Sequence, residues 1–451
     1  MLQAQRTNRL GHLNNESHPM TVTRTRTRWC VFGTHELRWL FGATLLLRLL
    51  YPFFSSPLDR LFSDPARHWD NALHFLHPSV MGSGDPYLYQ VWLFGLQQLA
   101  GQSMPGVLLG CGVLCAAMPY GWYRALKELL PMPWALGGAV LIALVPSFLG
   151  IYGYFMNETL LLSLTGFAFW LTLRARRKAT VGTFVGACVL WVAVDFTRVV
   201  LSPIALGCLL WIALRPPRPW LKLLWGLVLF AAIAVPAGLH CRAALGFFSP
   251  FGNPYVAEIY RHSGKKEITL NYGPQEHYGF GSPSFYNPTF YPFSDWMTDR
   301  VGEIVVVIDT TRGRETWIQE DQRIRAARRF SKIRDCWENL LYLGFGQPWP
   351  AIDRDTLVGA LTVWTRWLWI PIIAVVAFGV ARGRFAGREW LLPICGLLML
   401  ALLAVQQGGI IEGRYRLPVD PIILAALVVL VYRWIDGNVY RKSTGPAQAR
   451  S

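Results

Sequence analysis

The chain has 451 residues, of which 53% are hydrophobic and only 16% are charged. Soluble globular domains carry about a quarter charged residues, so this composition excludes an ordinary soluble protein. The formal net charge is +16. The basic residues lie mainly in short loops between apolar runs, the pattern of cytoplasmic loops in membrane proteins, and no separate basic patch indicates a nucleic-acid partner.

The apolar runs approach 20 residues, the length of helix that crosses a hydrocarbon core of roughly 30 Å. An amphipathic stretch at 87–100 is too short to cross and predicts a surface or re-entrant helix. We therefore predict an all-α polytopic membrane protein in contact with membrane lipids. Its spans, about ten in number, are predicted at about 39–57, 104–122, 134–150, 157–173, 181–196, 199–214, 220–240, 358–380, 389–406 and 418–434.

The order of spans and polar segments divides the chain into five parts. These are a cytoplasmic tail at 1–38, an N-terminal membrane core at 39–240, an extracytoplasmic domain or long loop at 241–356, C-terminal transmembrane helices at 357–434 and a cytoplasmic tail at 435–451. Within 241–356 the sequence predicts a strand at Glu303–Asp309 and a helix at Asp321–Leu343. Cys241 and Cys336 are the only thiols of that segment, and either they pair or they are two free thiols.

The distribution of charge predicts the orientation of the chain. If the amino terminus is cytoplasmic, nearly every strongly basic short loop falls on the inner side, as the positive-inside rule requires. They contain Arg124, Lys127, the cluster at 174–178, Arg215, Arg218, Arg382, Arg384 and Arg388. The loops at 58–86, 151–156, 197–199, 241–356 and 407–417 then lie outside, and we predict a multi-pass protein of the cell inner membrane.

The first outer loop carries a candidate site. Its sequence from Ser63 to Leu76 reads SDPARHWDNALHFL. If this loop is helical, Asp64, Arg67 and His68 stand at positions i, i+3 and i+4 and share one face. The alternative is a solvated charged loop in which Asp64 caps a helix.

Several motifs, taken in order, resemble the GT-C superfamily of membrane glycosyltransferases. One span is followed by D-x-x-R-H at Asp64, Arg67 and His68, and an E-T-L element occurs at Glu158. Thr197 and Arg198 match a T-R-P element, with Val199 in place of proline, and an R-Y-x-x-P element begins at Arg414. The branch that this chain most resembles contains the protein O-mannosyltransferases and the lipid A aminoarabinose transferases.

The resemblance implies an inverting glycosyltransferase whose active site faces the periplasm. It would move a sugar from a polyprenyl-phosphate or polyprenyl-pyrophosphate donor to a hydroxyl of a glycan, lipid or protein acceptor. The resemblance places activation of the acceptor on Asp64. The anionic leaving group needs cations, and arginine suits phosphate. The residues that the resemblance assigns to substrate and donor binding are Arg67, His68, Glu158, Arg198, Arg414, Tyr415 and Arg416.

The resemblance implies no certain cofactor and leaves a divalent metal open. The best-known members carry Asp-Glu where this chain has Asp64 and Pro65, so a paired-acid or metal role is not carried over. Two other functions remain as alternatives, an O-antigen ligase or polymerase-like enzyme and a transporter or flippase of lipid-linked sugars. A transporter would place ionisable residues near the bilayer midplane, whereas these lie mostly at the outer ends of spans. Arg48, inside the first span, has no predicted role.

Overall fold

The computed structural model describes residues 33–55, 63–80, 82–251, 267–273, 277–279, 302–307, 332–345, 356–406 and 415–443, with a few positions between 310 and 322. Ten helices precede the long loop: α1 Thr34–Phe54, α2 Ser63–Leu73, α3 Tyr87–Leu99, α4 Met104–Lys127, α5 Met132–Ala143, α6 Pro146–Gly150, α7 Asn157–Lys178, α8 Val181–Thr197, α9 Ser202–Ala213 and α10 Pro219–Leu245. Five more of the described helices lie within that loop or after it: α11 Lys332–Phe345, α12 Leu357–Thr365, α13 Trp369–Ala381, α14 Leu391–Gln406 and α15 Asp420–Ser443. Each predicted span coincides with one helix or with consecutive helices.

Length and composition show how many of these helices could cross a membrane. Five helices of the described chain qualify, and they become six if the bent pair α5 and α6, which meet at 68°, forms one span. The five are Thr34–Phe54, Met104–Lys127, Pro219–Leu245, Leu357–Ala381 and Gly387–Val405. Two further apolar helices, Val181–Thr197 and Val199–Ala213, are shorter. The protein is predominantly helical and has the apolar helices of a polytopic membrane protein.

A small antiparallel sheet lies in the segment between α10 and α11. Its strands are β1 Glu267–Gly273, β2 His277–Gly279 and β3 Gly302–Val307, in the order β2-β1-β3. Ile268 of β1 pairs with Val306 of β3. The strand predicted at Glu303–Asp309 is therefore confirmed as far as Val307, and its last two residues lie outside the described residues. In the same segment α11 confirms the second half of the helix predicted at Asp321–Leu343.

Arg48, which the sequence left without a role, braces three neighbouring helices. Its guanidinium is buried and donates to the carbonyl oxygens of Cys115, Ala143 and Phe148 at 2.7, 2.7 and 2.9 Å. The Cys115 carbonyl needs this donor because Pro119, one turn later, has no N–H. The other two carbonyls lie at the bend between α5 and α6. Pairing of this kind is how a buried cation becomes tolerable within a membrane.

Contacts along the helices show which of their ends lie together. Helices α4 and α7 run parallel, since Ser163 Oγ donates to Leu114 O at 2.8 Å and Arg177 pairs with Glu128 at 3.2 Å further along. Helix α8 returns antiparallel to α7, with Trp191 Nε1 donating to a threonine of α7. The carboxyl ends of α4 and α7 therefore meet, and the end of α8 reaches the start of α7.

The basic clusters gather at one end of the bundle. Arg388 donates to Glu128 O at 3.4 Å, and Arg433 pairs with Glu389 at 2.6 Å. Arg176 donates to the carbonyl of Trp211 at the end of α9, just before Arg215. We call this the basic end. The starts of α4, α7 and α15 lie at the opposite end.

The carboxyl-terminal part of the predicted extracytoplasmic segment packs into the helix bundle. Asn339 of α11 donates to Ala404 O of α14 at 2.8 Å, and Leu343 is buried in the main hydrophobic core. Cys241 and Cys336 are free thiols, so the option that they pair is wrong. Cys241 is buried in α10, whereas Cys336 is half-buried on α11.

Candidate active site

Helix α2 forms where the sequence predicts it. Asp64 stands in its first turn, where the helix dipole favours a negative charge. Pro65 follows at a position whose N–H has no intrahelical acceptor, so proline costs nothing there. The residue that departs from the GT-C pattern is therefore compatible with the local helix. Asp64, Arg67 and His68 share one face of α2, as predicted.

Asp85, which the sequence did not single out, is the centre of this face. Arg67 Nε donates to Asp85 Oδ1 at 3.0 Å, and Arg67 Nη2 lies 2.9 Å from the same oxygen. Its Nη1 lies 2.9 Å from Asp64 Oδ1, so one guanidinium joins two carboxylates. Asn71 Nδ2 donates to Asp85 Oδ2 at 2.7 Å, and His68 Nδ1 lies 3.3 Å from the same oxygen.

The environments of the two carboxylates differ. The Asp85 side chain is 5% exposed and the Asp64 side chain 23%. Burial raises the pKa of Asp85, but the charges and hydrogen bonds of His68 and Arg67 outweigh it and hold this pKa below its ordinary value. Asp85 thus remains an anion with its oxygens occupied, while Asp64 keeps part of its carboxylate accessible.

A tight turn carries Asp85 back onto α2. Ser79 Oγ donates to Asn71 Oδ1 at 3.1 Å and accepts from Gly82 N at 2.9 Å. A Cβ at Gly82 would lie 2.9 Å from Asn71 Oδ1, which explains the glycine. Gln90 of α3 donates to Gly82 O at 2.8 Å. In the sequence, the Asp-Pro pair just before α3 signals a turn. That signal does not reveal which residues the Asp85 side chain contacts.

Three other predicted site residues, Glu158, Arg198 and Tyr415, form a second group. Arg198 Nη1 donates to Glu158 Oε1, and the guanidinium lies over the Tyr415 ring, 5.0 Å from its centroid. Glu158 is buried at 1% exposure in the first turn of α7, and the Arg198 side chain is 15% exposed. Three distant segments, the starts of α7 and α15 and the end of α8, therefore meet here.

Tyr89 of α3 packs against the first group. Its ring packs edge-on against His68, with centroids 5.2 Å apart. Burial raises the pKa of Tyr89 well above its ordinary value, and the nearby charges of Glu158 and Asp85 raise it further. The neighbouring Trp69 of α2 stacks on Phe155, just before α7, at 4.8 Å. Both groups thus border one apolar cluster at the end of the bundle opposite the basic end.

Arg416 lies apart from this site. Its side chain is fully buried, with Nε 2.8 Å from Asp420 Oδ1 and the guanidinium 4.9 Å from the Trp369 ring centroid. Its Nη1 donates to the carbonyls of Leu343 and Gly344 of α11. No part of the guanidinium faces solvent, so this geometry favours a brace between α11 and α15 over the predicted phosphate contact. Arg414 lies outside the described residues.

The side chains of α2 do not fit a divalent metal. Within the described ranges, no three His, Cys, Asp or Glu side chains are grouped closely enough to ligate an ion. Arg67 already occupies the position between Asp64 and Asp85, and its charge would repel a cation there.

No model of a known protein family matches the chain, and no curated protein is significantly similar to it. Its function must therefore be argued from the residues and the geometry of the site.

Proposed function

We propose that the chain is an inverting glycosyltransferase of GT-C type in the cell inner membrane. It moves a sugar from a polyprenyl-phosphate or polyprenyl-pyrophosphate donor to a hydroxyl acceptor at the periplasmic face. The observation that carries this proposal is a pair of charged groups at one end of the bundle, which four separate segments supply. One group joins Asp64 to Arg67, and the other joins Glu158 to Arg198 and the Tyr415 ring. In this proposal ten spans leave both termini in the cytoplasm.

Asp64 takes the proton of the acceptor. It is the most exposed of the three site carboxylates, whereas Asp85 and Glu158 are enclosed. As the acceptor oxygen bonds to the anomeric carbon, its proton passes to Asp64 and the sugar–phosphate bond breaks. The electron pair of that bond leaves on the phosphate oxygen. A carboxylate at the rim of an apolar site can serve as a general base of this kind.

Arg198 is the cation best placed for the leaving phosphate. Its guanidinium is partly accessible and is held in position by Glu158 and the Tyr415 ring. Arginine binds phosphate through paired N–H groups, and a fixed donor lowers the cost of reorganisation during reaction. The described site carries two guanidinium groups against three carboxylates, so further positive charge is needed. Arg414 remains the predicted source, because it directly precedes Tyr415.

The charge distribution supports the proposed orientation. The basic end of the bundle is opposite the site, which is the arrangement expected if the site faces the periplasm. Reporter fusions after Arg177 and after Arg384 should then be cytoplasmic, and a fusion near Tyr278 should be exported. A cytoplasmic reporter at Tyr278 would overturn the orientation and the mechanism with it.

A deletion strain tests the activity. Mass spectrometry of its lipid A, surface glycan and envelope proteins should show the loss of one sugar modification. The wild-type chain should restore this modification, and Asp64→Asn should not. If the deletion strain keeps every sugar modification, the proposed enzyme activity is contradicted. Accumulation of a lipid-linked sugar on the cytoplasmic side would instead indicate a flippase.

A further inference from the structure

Three cations at the basic end have no part in the proposed activity. Arg124 and Lys127 lie in the last turn of α4, and Arg174 lies just before the last turn of α7. Two of them lie against one ring, since Arg124 Cζ is 4.2 Å and Arg174 Cζ 5.7 Å from the centroid of Trp170. Lys127 Nζ is 5.8 Å from the centroid of the Tyr123 ring. We call these five residues the Trp170 cluster.

The backbones of α4 and α7 approach closely one turn before this cluster. A Cβ at Gly121 would lie 3.0 Å from Phe167 N, and a Cβ at Gly166 would lie 2.7 Å from Trp122 N. A larger residue at either position would push the two helices apart, because the atoms that it meets belong to the backbone. The two glycines therefore bring the cations of α4 to the ring on α7.

Among the described residues, no acidic side chain pairs with these three cations. Arg124 Nη1 donates to the Tyr120 hydroxyl at 3.1 Å, and the other contacts of the cations are with aromatic rings. Glu128, the acid that directly follows Lys127, pairs with Arg177 at 3.2 Å. Two guanidinium groups that share one ring repel each other. A bound anion would offset this repulsion, and a guanidinium packed on a ring keeps N–H groups at its edge for a phosphate.

The surface that leads to the cluster indicates that the anion belongs to a lipid. Helix α4 is long and apolar enough to cross a membrane. Leu109, Val113 and Tyr120 are exposed on one face of it, and this face ends at Arg124. An acyl chain can lie along such a face while its phosphate reaches the arginines, as in basic pockets between membrane helices that bind anionic head groups. We propose that the Trp170 cluster binds the phosphate of an anionic phospholipid. This inference does not depend on the proposed activity.

The test compares lipids that differ only in their head group. Full-length protein in detergent is stripped of lipid and titrated with phosphatidylglycerol or phosphatidylcholine, and native mass spectrometry measures the bound lipid. Wild type should bind phosphatidylglycerol more tightly. The double variant Arg124→Gln with Arg174→Gln should lose about tenfold to 30-fold of that affinity, since each cation near a head group contributes to binding, and should bind phosphatidylcholine unchanged.

The matched control is the double variant Arg382→Gln with Arg384→Gln. It removes two exposed charges from the same end of the bundle and should bind phosphatidylglycerol like wild type. An equal loss in this control would show a general effect of charge and overturn the inference. So would a wild type that does not distinguish the two lipids.

Two further measurements examine the ring and the acyl chains. Trp170→Leu keeps every charge and removes the ring, so it should weaken phosphatidylglycerol binding by about twofold to fivefold. If the double arginine variant does not fold, this variant decides, and unchanged binding by it overturns the inference. Glycerol phosphate carries the head group without acyl chains and should bind far more weakly than the lipid. Equal affinity for both would indicate a site for a soluble anion and contradict the proposal. All of these outcomes leave the glycosyltransferase proposal standing, because its site lies at the opposite end of the bundle.

Discussion

Two arginine–aspartate pairs in this protein have similar spacing along the chain and different surroundings. Arg67 pairs with Asp64 three residues earlier, and Arg416 pairs with Asp420 four residues later. The Arg67 side chain is 37% exposed, whereas Arg416 and Asp420 are completely enclosed. Both arginines lie near the end of the bundle opposite the basic end, and the sequence predicted substrate contact for both.

The difference comes from what other segments bring to each pair. The turn at Gly82 brings Asp85 to Arg67 and leaves part of the guanidinium in contact with solvent. Helix α11 covers Arg416 with two carbonyls, and Trp369 covers its face. The tertiary neighbours of an arginine near the end of an apolar helix therefore decide whether it can bind a ligand or only stabilises the fold.

Asp64→Asn should have the largest effect. The amide keeps the size of the carboxylate but cannot take a proton, and loss of a general base costs about 10²–10⁴ in rate. Transfer from purified lipid-linked donor should fall by that factor, while expression and donor binding persist. Asp70→Asn is the matched control, because Asp70 is on the same helix and is mostly exposed. Wild-type transfer by Asp64→Asn would show that the wrong carboxylate was chosen.

Arg416→Ala should damage stability rather than donor binding. It leaves Asp420 as an uncompensated buried charge, a change that typically costs about 3–5 kcal/mol. The double variant Arg416→Met with Asp420→Leu should recover part of the loss, since an apolar pair removes both charges. Thermal unfolding in detergent measures both variants, with the exposed Arg382→Ala as the control. A stable Arg416→Ala protein that fails to bind donor would restore the phosphate role.

Asp85→Asn should reduce transfer less than Asp64→Asn does. The amide can still accept from Arg67, but it no longer provides the charge that holds Arg67 and His68. We expect a loss of about tenfold, in line with one weakened charge-assisted hydrogen bond of roughly 1.5 kcal/mol. Transfer rates at matched protein levels decide the order. A variant as inactive as Asp64→Asn would make Asp85 a direct participant.

The smallest expected effect is the loss of stability at low pH that comes from Asp85. The pKa of Asp85 is held below its ordinary value of 3.8. The ionised carboxylate therefore stabilises the fold above about that pH, and this contribution is lost as pH falls through the lowered pKa. The unfolding temperature of wild type should exceed that of Asp85→Asn at neutral pH, and the difference should shrink below about pH 4. A difference independent of pH would show that charge is not the cause.

Local pattern was sufficient for the helices and for one face of the site. Apolar length located helices at every predicted span, and the i, i+3, i+4 spacing placed Asp64, Arg67 and His68 together. It could not find Asp85, because the contact between Asp85 and Arg67 depends on how the intervening turn closes. Local pattern also could not show that Arg416 is enclosed while Arg198 stays partly accessible, since both adjoin helix ends in otherwise apolar sequence.

The sequence by itself determined the helices of this protein, including those long and apolar enough to cross a membrane, and the polar face of its first loop. Both are encoded by residues close together in the chain, through apolar length and helical periodicity. The tertiary structure alone decided which charges are enclosed. Arg48 can be buried because a proline and a bend leave carbonyl oxygens near it that accept its hydrogen bonds, and Arg416 is enclosed because α11 packs over it. Burial of a charge depends on partners far away in sequence, and these are known only once the helices have packed.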